Sequence, residues 1–445
     1  MSVRIRSLCL MLTLVAACGD EVEETSPDAS VADAAPSTSD TAVAGDAGAT
    51  DAGALRDGEA ADAAPVVIFE PRGLVVVHSD YQSASVSLTS LDGTKRLDDC
   101  INSGVTSPKL TAALTGDVVL PSMPVPSGEV ALIDRKNAAI TFLDPATCDV
   151  KRQIKVSTNF DGNPYDLLWV APDRAYVTRY NPNPTPTPAP GDYDDGNDVL
   201  IINPITGALT GSITMTPWAV PADKPLPILP RPDRMVAAGG KVYVSLNNLS
   251  ANYQAAGQGR VVIIDQATNG VEGFIDLPGV NNCSEMQLAS GNTLAIACGG
   301  IFAAGDKQID AAGVMLVNLS TKAVTKVASA KFGRTLSLYS LAANNDRYFV
   351  VTNGDFSGTP PDQLWTGTFA GEAPASKFTA SEAFSLGTML VHPTLPRLYV
   401  ADAQVKNSAP QVRVFDTSAA PALTQAPALT VGATKALPVR HIAWY

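Results

Sequence analysis

The feature that most constrains the fold is a repeat of about fifty residues that runs through the chain after residue 66. In each copy a short apolar run ends in Asp or Asn, and a Thr often follows three residues later. The Asp and Asn positions are 92, 144, 203, 265, 318 and 416. The last step, 98 residues, equals two units of 49, so a degenerate copy is expected near residue 367. Leu364-Trp365-Thr366-Gly367-Thr368-Phe369 stands there, and seven units in step predict a repeat architecture.

A second pattern lies upstream in several units. The copies are Ala175-Tyr176-Val177-Thr178, Val242-Tyr243-Val244-Ser245, Tyr348-Phe349-Val350-Val351-Thr352 and Leu398-Tyr399-Val400-Ala401. Short runs of β-branched and aromatic residues between Gly, Pro, Asn and Asp clusters are typical of strands. A unit of about fifty residues with four strands is one propeller blade. Residues 66–445 are therefore predicted to form an all-β domain, a seven-bladed β-propeller.

Together the two patterns resemble the YVTN family of β-propeller repeats. In that family a Tyr-Val-Thr-Asn strand is followed by a Val-Ile-Asp-x-x-Thr strand. The resemblance covers most of residues 66–445 and is strongest in units three, four and seven. It implies a propeller and leaves the function open, because propellers host unrelated functions.

The two ends of the repeat region predict how the ring closes. Unit one begins at its second strand, Gly73–Ser79, without a good strand before it. The chain ends on residues 437–445, which have the pattern of a first strand. Pairing of this C-terminal strand into blade one would close the ring and leave no open sheet edge.

The first eighteen residues have the pattern of an export signal. Arg4 and Arg6 precede an apolar stretch that is too short to span a bilayer, and Val15-Ala16-Ala17-Cys18 follows. A cysteine after small residues resembles the lipobox of bacterial lipoproteins. The resemblance implies that residues 1–17 are removed and that Cys18 carries acyl chains such as palmitate. Because Gly19 is not the aspartate of an inner-membrane retention signal, we expect an envelope protein anchored in the outer membrane. The alternative is an ordinary signal peptide with a chance cysteine.

Residues 18–65 are predicted to be a disordered acidic tether. They hold twelve Asp and Glu against one base, Arg56, and contain no aromatic residue. The charge of −13 for the whole chain, less +2 for the signal and −11 for the tether, leaves −4 for the domain. A domain with 28 basic and 32 acidic side chains has no electrostatic footprint for nucleic acid. We expect a monomer.

Four cysteines remain in the domain, and an oxidising compartment favours disulfides. On the propeller model Cys283 begins strand A of blade five and Cys298 ends strand B, so these two are expected to pair. Cys100, after strand D of blade one, would then pair with Cys148 in the C–D hairpin of blade two. The alternative, a zinc site, lacks any CxxC or CxxH spacing.

The predicted long connections gather on one face of the propeller. They are the B–C loops at about 181–198, 246–259, 299–312 and 353–363, and the D–A connection from Met215 to Pro232. Long loops on a rigid scaffold are where binding usually occurs. We therefore expect a non-enzymatic protein that binds a protein, peptide or glycan partner through this face and needs no cofactor. The predicted binding-face residues are Tyr180, Tyr193, Asn247, Asn248, Tyr253, Phe302, Asn353 and Asp355.

Two further sites have weaker support in the sequence. Asp192, Asp194, Asp195 and Asp198 offer the oxygen ligands that Ca²⁺ prefers, although a solvated acidic turn explains them as well. A polar cluster of His78, Asp80 and Asp402 is conceivable near the channel. The alternative function is a propeller hydrolase or lactonase with a metal at the channel mouth.

Overall fold

The computed structural model describes residues 69–187, 191, 193–289, 292–344, 346–355, 357–406, 410–419, 422–432 and 437–445. The predicted signal peptide, Cys18, the tether and Asp192 lie outside these residues. Phe69–Tyr445 form one compact unit. In its described residues no helix is long and apolar enough to cross a membrane.

The described residues contain seven four-stranded antiparallel sheets. In each sheet we name the strands A to D from the centre of the ring outwards. Successive sheets contact one another through their first two strands, so the sheets are blades around a central channel. The sequence prediction of an all-β, seven-bladed propeller is confirmed.

Blade one contains both ends of the folded unit. Its strand A is β30 (Val439–Trp444), and its strands B to D are β1 (Leu74–Ser79), β2 (Ala84–Thr89) and β3 (Arg96–Asn102). In the β1–β30 ladder Leu74 lies opposite Trp444 and Val76 lies opposite Ile442. The predicted closure by the C-terminal strand is confirmed.

The other six blades use four consecutive main strands each. Blade two consists of β4 (Val118–Val119), β5 (Val130–Asp134), β6 (Ala139–Leu143) and β7 (Val150–Lys155). Blade three consists of β8 (Pro164–Ala171), β9 (Arg174–Pro182), β10 (Gly196–Ile202) and β11 (Leu209–Thr214). Blade four consists of β13 (Pro232–Ala238), β14 (Lys241–Leu246), β16 (Gly259–Asp265) and β17 (Val271–Leu277).

Blades five to seven continue the same order. Blade five consists of β18 (Cys283–Ala289), β19 (Thr293–Gly299), β20 (Ala312–Asn318) and β21 (Val324–Ala328). Blade six consists of β22 (Leu336–Ala343), β23 (Arg347–Thr352), β24 (Gln363–Thr368) and β25 (Ala375–Thr379). Blade seven consists of β26 (Leu386–Val391), β27 (Arg397–Asp402), β28 (Gln411–Asp416) and β29 (Thr424–Thr430).

The apolar core lies between the blades. Successive side chains of a strand point to opposite faces of its sheet, so each middle strand serves two interfaces. On β14, Val242 and Val244 pack toward blade three, whereas Tyr243 packs toward blade five. Each pair of neighbouring blades encloses one such cluster in the described residues.

The face with the A–B and C–D connections, which we call the short-turn face, explains the repeated Asp and Asn. In the C–D turn of blade four, Asp265 Oδ1 accepts hydrogen bonds from the backbone N–H of Ala267 and Thr268. The fourth residue after it, Asn269, has a φ of 57° and donates its N–H to the Asp265 carbonyl. Asn203 and Asn318 make the same bonds in blades three and five. The repeat is therefore a turn signature, since Asp and Asn bond their own backbone two or three residues on.

The opposite face, which we call the long-loop face, carries the B–C and D–A connections. The B–C connections of blades three to six are 183–195, 247–258, 300–311 and 353–362, as predicted. Short 3-10 turns lie in three of the connections on this face, at Thr216–Trp218, Phe302–Ala311 and Ser329–Phe332. A two-stranded ribbon of β12 (Ile228–Leu229) and β15 (Leu249–Ser250) ties the D–A connection before blade four to the B–C loop of that blade.

The two disulfides are those predicted. Cys283 and Cys298 face each other across strands A and B of blade five. Cys100 and Cys148 join blades one and two. Cys100 lies within strand D, on β3, not after it as the sequence suggested. Two disulfides indicate an oxidising compartment outside the cytoplasm.

The folded unit begins on the short-turn face. Arg72 donates a hydrogen bond to the carbonyl of Gly128, in the A–B connection of blade two, and stacks on the ring of Tyr445. The backbone N–H of Arg72 also donates to the Tyr445 carbonyl. Both ends of the unit are therefore fixed to each other at the start of β1.

Candidate functional site

The innermost strands bring charged side chains into the central channel. Asp166 lies on β8, Asp233 and Arg234 lie on β13, Glu285 lies on β18 and His441 lies on the closing strand β30. We call these five residues the channel cluster. Each is the second or third residue of its strand. Because the D–A connections enter these strands from the long-loop face, the cluster lies toward that face.

Arg234 is the centre of the channel cluster. Its guanidinium lies 3.2 Å from Glu285, 3.9 Å from Asp233 and 4.0 Å from Asp166. It also donates hydrogen bonds to the carbonyls of Leu120 and Tyr165, at 3.0 and 3.1 Å. One buried cation therefore connects blades two to five.

The carboxylates around Arg234 differ in their hydrogen bonding. Asp166 accepts bonds from the N–H and hydroxyl of Ser122 and from the N–H of Met235. Both oxygens of Asp233 are buried and accept no hydrogen bond from a described residue. Ser284 lies near enough to lower the Asp233 pKa but does not reach hydrogen-bonding geometry. Asp166 is thus a structural link between blades, whereas Asp233 is not satisfied.

Burial changes the protonation of the cluster. It raises the pKa of Glu285 to about 7 and that of Asp233 to about 6, although Arg234 lowers both. Burial, with the charges of Arg234, Arg135 and Arg440, lowers the pKa of His441 to about 3. Near neutral pH the cluster therefore holds a neutral imidazole and a Glu285 that is partly protonated.

The channel offers little space for a ligand at this depth. A cavity of about 30 Å³ is lined by residues that include Arg234, Glu285, Tyr339 and His441, which is room for about two water molecules. No group of three or more His, Cys, Asp or Glu among the described residues could hold a metal ion. The arrangement can take up and release protons.

A row of planar side chains extends from the channel toward the long-loop face. Arg135 stacks on Tyr165 at 4.7 Å, and Tyr165 stacks on Tyr180 with ring centroids 4.6 Å apart. Arg231 then lies between the rings of Tyr180 and Tyr253, at 4.8 and 4.6 Å. We call these five residues the Arg–Tyr stack. Its outermost member, Tyr253, is half-buried in the B–C loop of blade four.

The structure places the predicted binding-face residues at different depths. Tyr180, Asn247 and Asn248 are buried, so they lie beneath the loops and not on the surface of the long-loop face. Asn247 donates to the Cys283 carbonyl and Asn248 donates to the Gln258 carbonyl. Half-buried or exposed members of the set are Tyr193, Tyr253, Phe302, Asn353 and Asp355.

The acidic residues predicted to bind calcium are not gathered in one place. Asp198 is buried in an ion pair with Arg179, because that guanidinium requires a counter-charge. Asp194 accepts a hydrogen bond from the N–H of Thr187, and Asp195 is exposed. Asp192 lies outside the described residues, so calcium binding stays a prediction.

The structure places His78, Asp80 and Asp402, the residues of the predicted polar cluster, in three separate sets of contacts. His78 is buried and its ring nitrogens have no hydrogen-bond partner among the described residues. Asp80 instead accepts hydrogen bonds from the turn that ends at Ser83. Asp402 pairs with Arg413.

Sequence reasoning missed Arg231, Asp233, Arg234 and Glu285. The signal was present, since three of them lie in Arg231-Pro232-Asp233-Arg234, where an innermost strand begins. Most strands of this domain are apolar. Charged residues at the start of an innermost strand therefore indicate a polar channel.

Comparisons with known proteins agree with the fold and go no further. No protein-family model matches the chain, and no curated protein matches it. Hydrazine synthase from Kuenenia stuttgartiensis is similar over 80% of this chain and 98% of that chain, with 11% identity and a TM-score of 0.50. A quinoprotein alcohol dehydrogenase-like protein from Bacteroides thetaiotaomicron covers 84% of this chain and 78% of its own, with 11% identity and a TM-score of 0.49.

Virginiamycin B lyase from Staphylococcus aureus covers 73% of this chain and 88% of its own, with 10% identity and a TM-score of 0.46. Such likenesses are to the fold alone, since propellers of unrelated function share it. Membership of the YVTN family stays a prediction, and the chain is a seven-bladed β-propeller.

Proposed function

We propose that this chain is an exported, lipid-anchored protein of the bacterial cell envelope that binds a protein, peptide or glycan through its long-loop face, without catalysis. The observation that carries the proposal is the division of connections between the two faces. On the short-turn face the C–D turns of blades three to five repeat one design, whereas each long-loop connection differs from the next. Individual loops on a common scaffold are the usual architecture of a recognition surface.

The long-loop face also has the chemistry of a binding surface. Phe302 and Val405 are 50% and 53% exposed on it, and Ile205, Leu395 and Met123 are similarly exposed on the short-turn face. What distinguishes the long-loop face is a groove of 360 Å³, which lies in the D–A connection before blade four and is lined by residues that include Pro221, Pro225 and Leu226. Apolar groups within a polar surround are typical of interaction sites.

The proposed anchor has a direct test. We expect Cys18→Ala to move the protein from the membrane fraction to the soluble fraction and to remove the acyl mass from the N-terminal peptide. An unchanged fraction and mass would contradict lipidation at this residue. Two or three acyl chains, each contributing about 0.8 kcal/mol per buried CH₂ group, are sufficient for stable anchoring.

The proposed face is tested by site-specific photo-crosslinking in intact cells. A photoreactive residue replaces Phe302 on the long-loop face or, as the control, Ile205 on the short-turn face, which is 56% exposed. We expect a discrete crosslinked product from position 302 and none from position 205. Equal products from both positions, or products from 205 alone, would contradict the proposal.

A further inference from the structure

Arg231 differs from the other buried arginines of the described residues. Five arginines are buried there. Four of them pair with a carboxylate: Arg179 with Asp198, Arg234 with Glu285, Arg347 with Asp346 and Arg413 with Asp402. Arg231 is 3% exposed and makes no ion pair with any described residue.

The contacts of Arg231 are all with neutral groups. One terminal nitrogen donates to Asn181 Oδ1 at 3.0 Å and the other donates to the Ala251 carbonyl at 3.3 Å. Its Nε is buried and has no partner in the described structure. The rings of Tyr180 and Tyr253 offset part of the cost of burying the cation, but they supply no counter-charge.

A thin cover separates Arg231 from solvent on the long-loop face. The cover is the B–C turn of residues 251–254 in blade four, in which Ala251, Asn252 and Gln254 are exposed. Tyr253 has a φ of 59° and Arg231 itself has a φ of 50°. Positive φ values at residues other than glycine store strain and are frequent at ligand sites. The turn contacts Arg231 through the Ala251 carbonyl and the Tyr253 ring, so a ligand reaches the guanidinium only when this turn moves.

We propose that Arg231 anchors a carboxylate-binding site on the long-loop face and that the ligand is an acidic side chain of a peptide segment. A guanidinium held flat between two rings presents its donors as a fork, which matches a carboxylate. The apolar groove of the same D–A connection, lined by residues that include Leu226 and Ile228, receives apolar side chains next to the acidic one. This assignment rests on the proposed function of the face and names its ligand class.

The test measures peptide binding to the full chain by fluorescence anisotropy. The probe is a labelled peptide of alternating Glu and Leu, and the neutral control replaces each Glu by Gln. Arg231→Met removes the charge and keeps a side chain that stacks on tyrosine. The matched control is Arg174→Met on the short-turn face, because Arg174 likewise has an unpartnered Nε and donates to a carbonyl, that of Gln266.

We expect the wild type and Arg174→Met to bind the acidic peptide equally, and Arg231→Met to bind at least about tenfold more weakly. Arg231→Lys keeps the charge but loses the fork, so its affinity should lie between them. No binding by the wild type, or equal binding by Arg231→Met, overturns the proposal. Binding of trigalacturonate in place of the peptide overturns the peptide class.

Thermal unfolding separates a binding role from a structural one. Removal of a buried cation without a counter-charge should leave the Tm of Arg231→Met unchanged or higher. A fall of several degrees, or failure to fold, assigns Arg231 to the scaffold and overturns the proposal. If the crosslink from position 302 persists when Arg231→Met is added, the Arg231 site is refuted, but the long-loop face remains the proposed binding surface. If no crosslink forms from position 302 in a protein that keeps Arg231, the proposed function of that face is refuted.

Discussion

The two faces of this propeller are built in opposite ways. On the short-turn face one local device recurs, an Asp or Asn whose side chain bonds the two N–H groups of its own turn. On the long-loop face each connection is held by a different arrangement: an ion pair in blade three, buried amides in blade four and a disulfide in blade five. The repeated turns specify the propeller scaffold, and the connections that differ from blade to blade specify the long-loop surface.

The strongest test of this contrast is the ion pair of blade three. Asp198→Ala leaves Arg179 buried without a counter-charge, so we expect a loss of about 3–5 kcal/mol in the free energy of unfolding. Asp276→Ala removes the partner of Arg260 in an ion pair that is more exposed than Arg179–Asp198, and it should cost about 0.2–1 kcal/mol. Urea denaturation measures both losses. Comparable values would show that the buried Arg179–Asp198 pair stabilises the blade-three loop no more than an exposed ion pair does.

The disulfides provide the next comparison. Their sequence separations are 48 for Cys100–Cys148 and 15 for Cys283–Cys298. Because a longer closed loop restricts the unfolded chain more, replacing both cysteines by Ala should cost about 4 kcal/mol for the first pair and about 3 kcal/mol for the second. A larger loss for Cys283–Cys298 than for Cys100–Cys148 would mean that the disulfide on the long-loop face stabilises more of the fold than blade five.

The channel cluster predicts how stability depends on pH. Burial raises the pKa of Glu285 from 4.5 to about 7, so the folded state holds a proton that the unfolded state loses in this window. Stability should therefore fall as pH rises between these values, by on the order of 2–3 kcal/mol. His441 acts in the opposite sense, since its pKa of about 3 makes the unfolded state take up a proton below 6.5.

Comparison with Glu285→Gln isolates the first effect. The variant keeps His441 but cannot ionise at position 285, so its stability should be flatter across neutral pH than that of the wild type. Urea midpoints between about pH 5 and 8 measure the difference. Parallel curves for the two proteins would contradict the raised pKa of Glu285.

The smallest expected effects lie on the short-turn face. Asn203→Ala and Asn318→Ala each remove a side chain that accepts two backbone N–H bonds, and we expect each to cost about 1 kcal/mol. The two losses should agree closely, because the turns are equivalent. Unequal losses would show that these turns are not the interchangeable units that the repeat indicates.

What the sequence could predict follows from this same division. The turn signatures and the blade number depend on neighbours along the chain, and Cys283 and Cys298 lie on adjacent strands of one blade. The closing strand joins distant residues, but it is predictable because unit one lacks a first strand and the chain supplies one at residues 437–445. The channel cluster depends on residues from different blades, such as Asp166 and Glu285, which no spacing relates. From the sequence Asp198 is an available ligand, because its partner Arg179 is identified only by the fold.

The position at which the folded unit begins has a mechanical consequence. Arg72 and Tyr445 lie on the short-turn face, and β1 follows between β30 and β2. If the proposed N-terminal anchor and the proposed partner of the long-loop face both hold the molecule, tension enters along β1 and is shared by the hydrogen bonds on both sides of that strand. Strands loaded along their length resist separation because many bonds must break together, so the closing strand would also serve as a mechanical clamp.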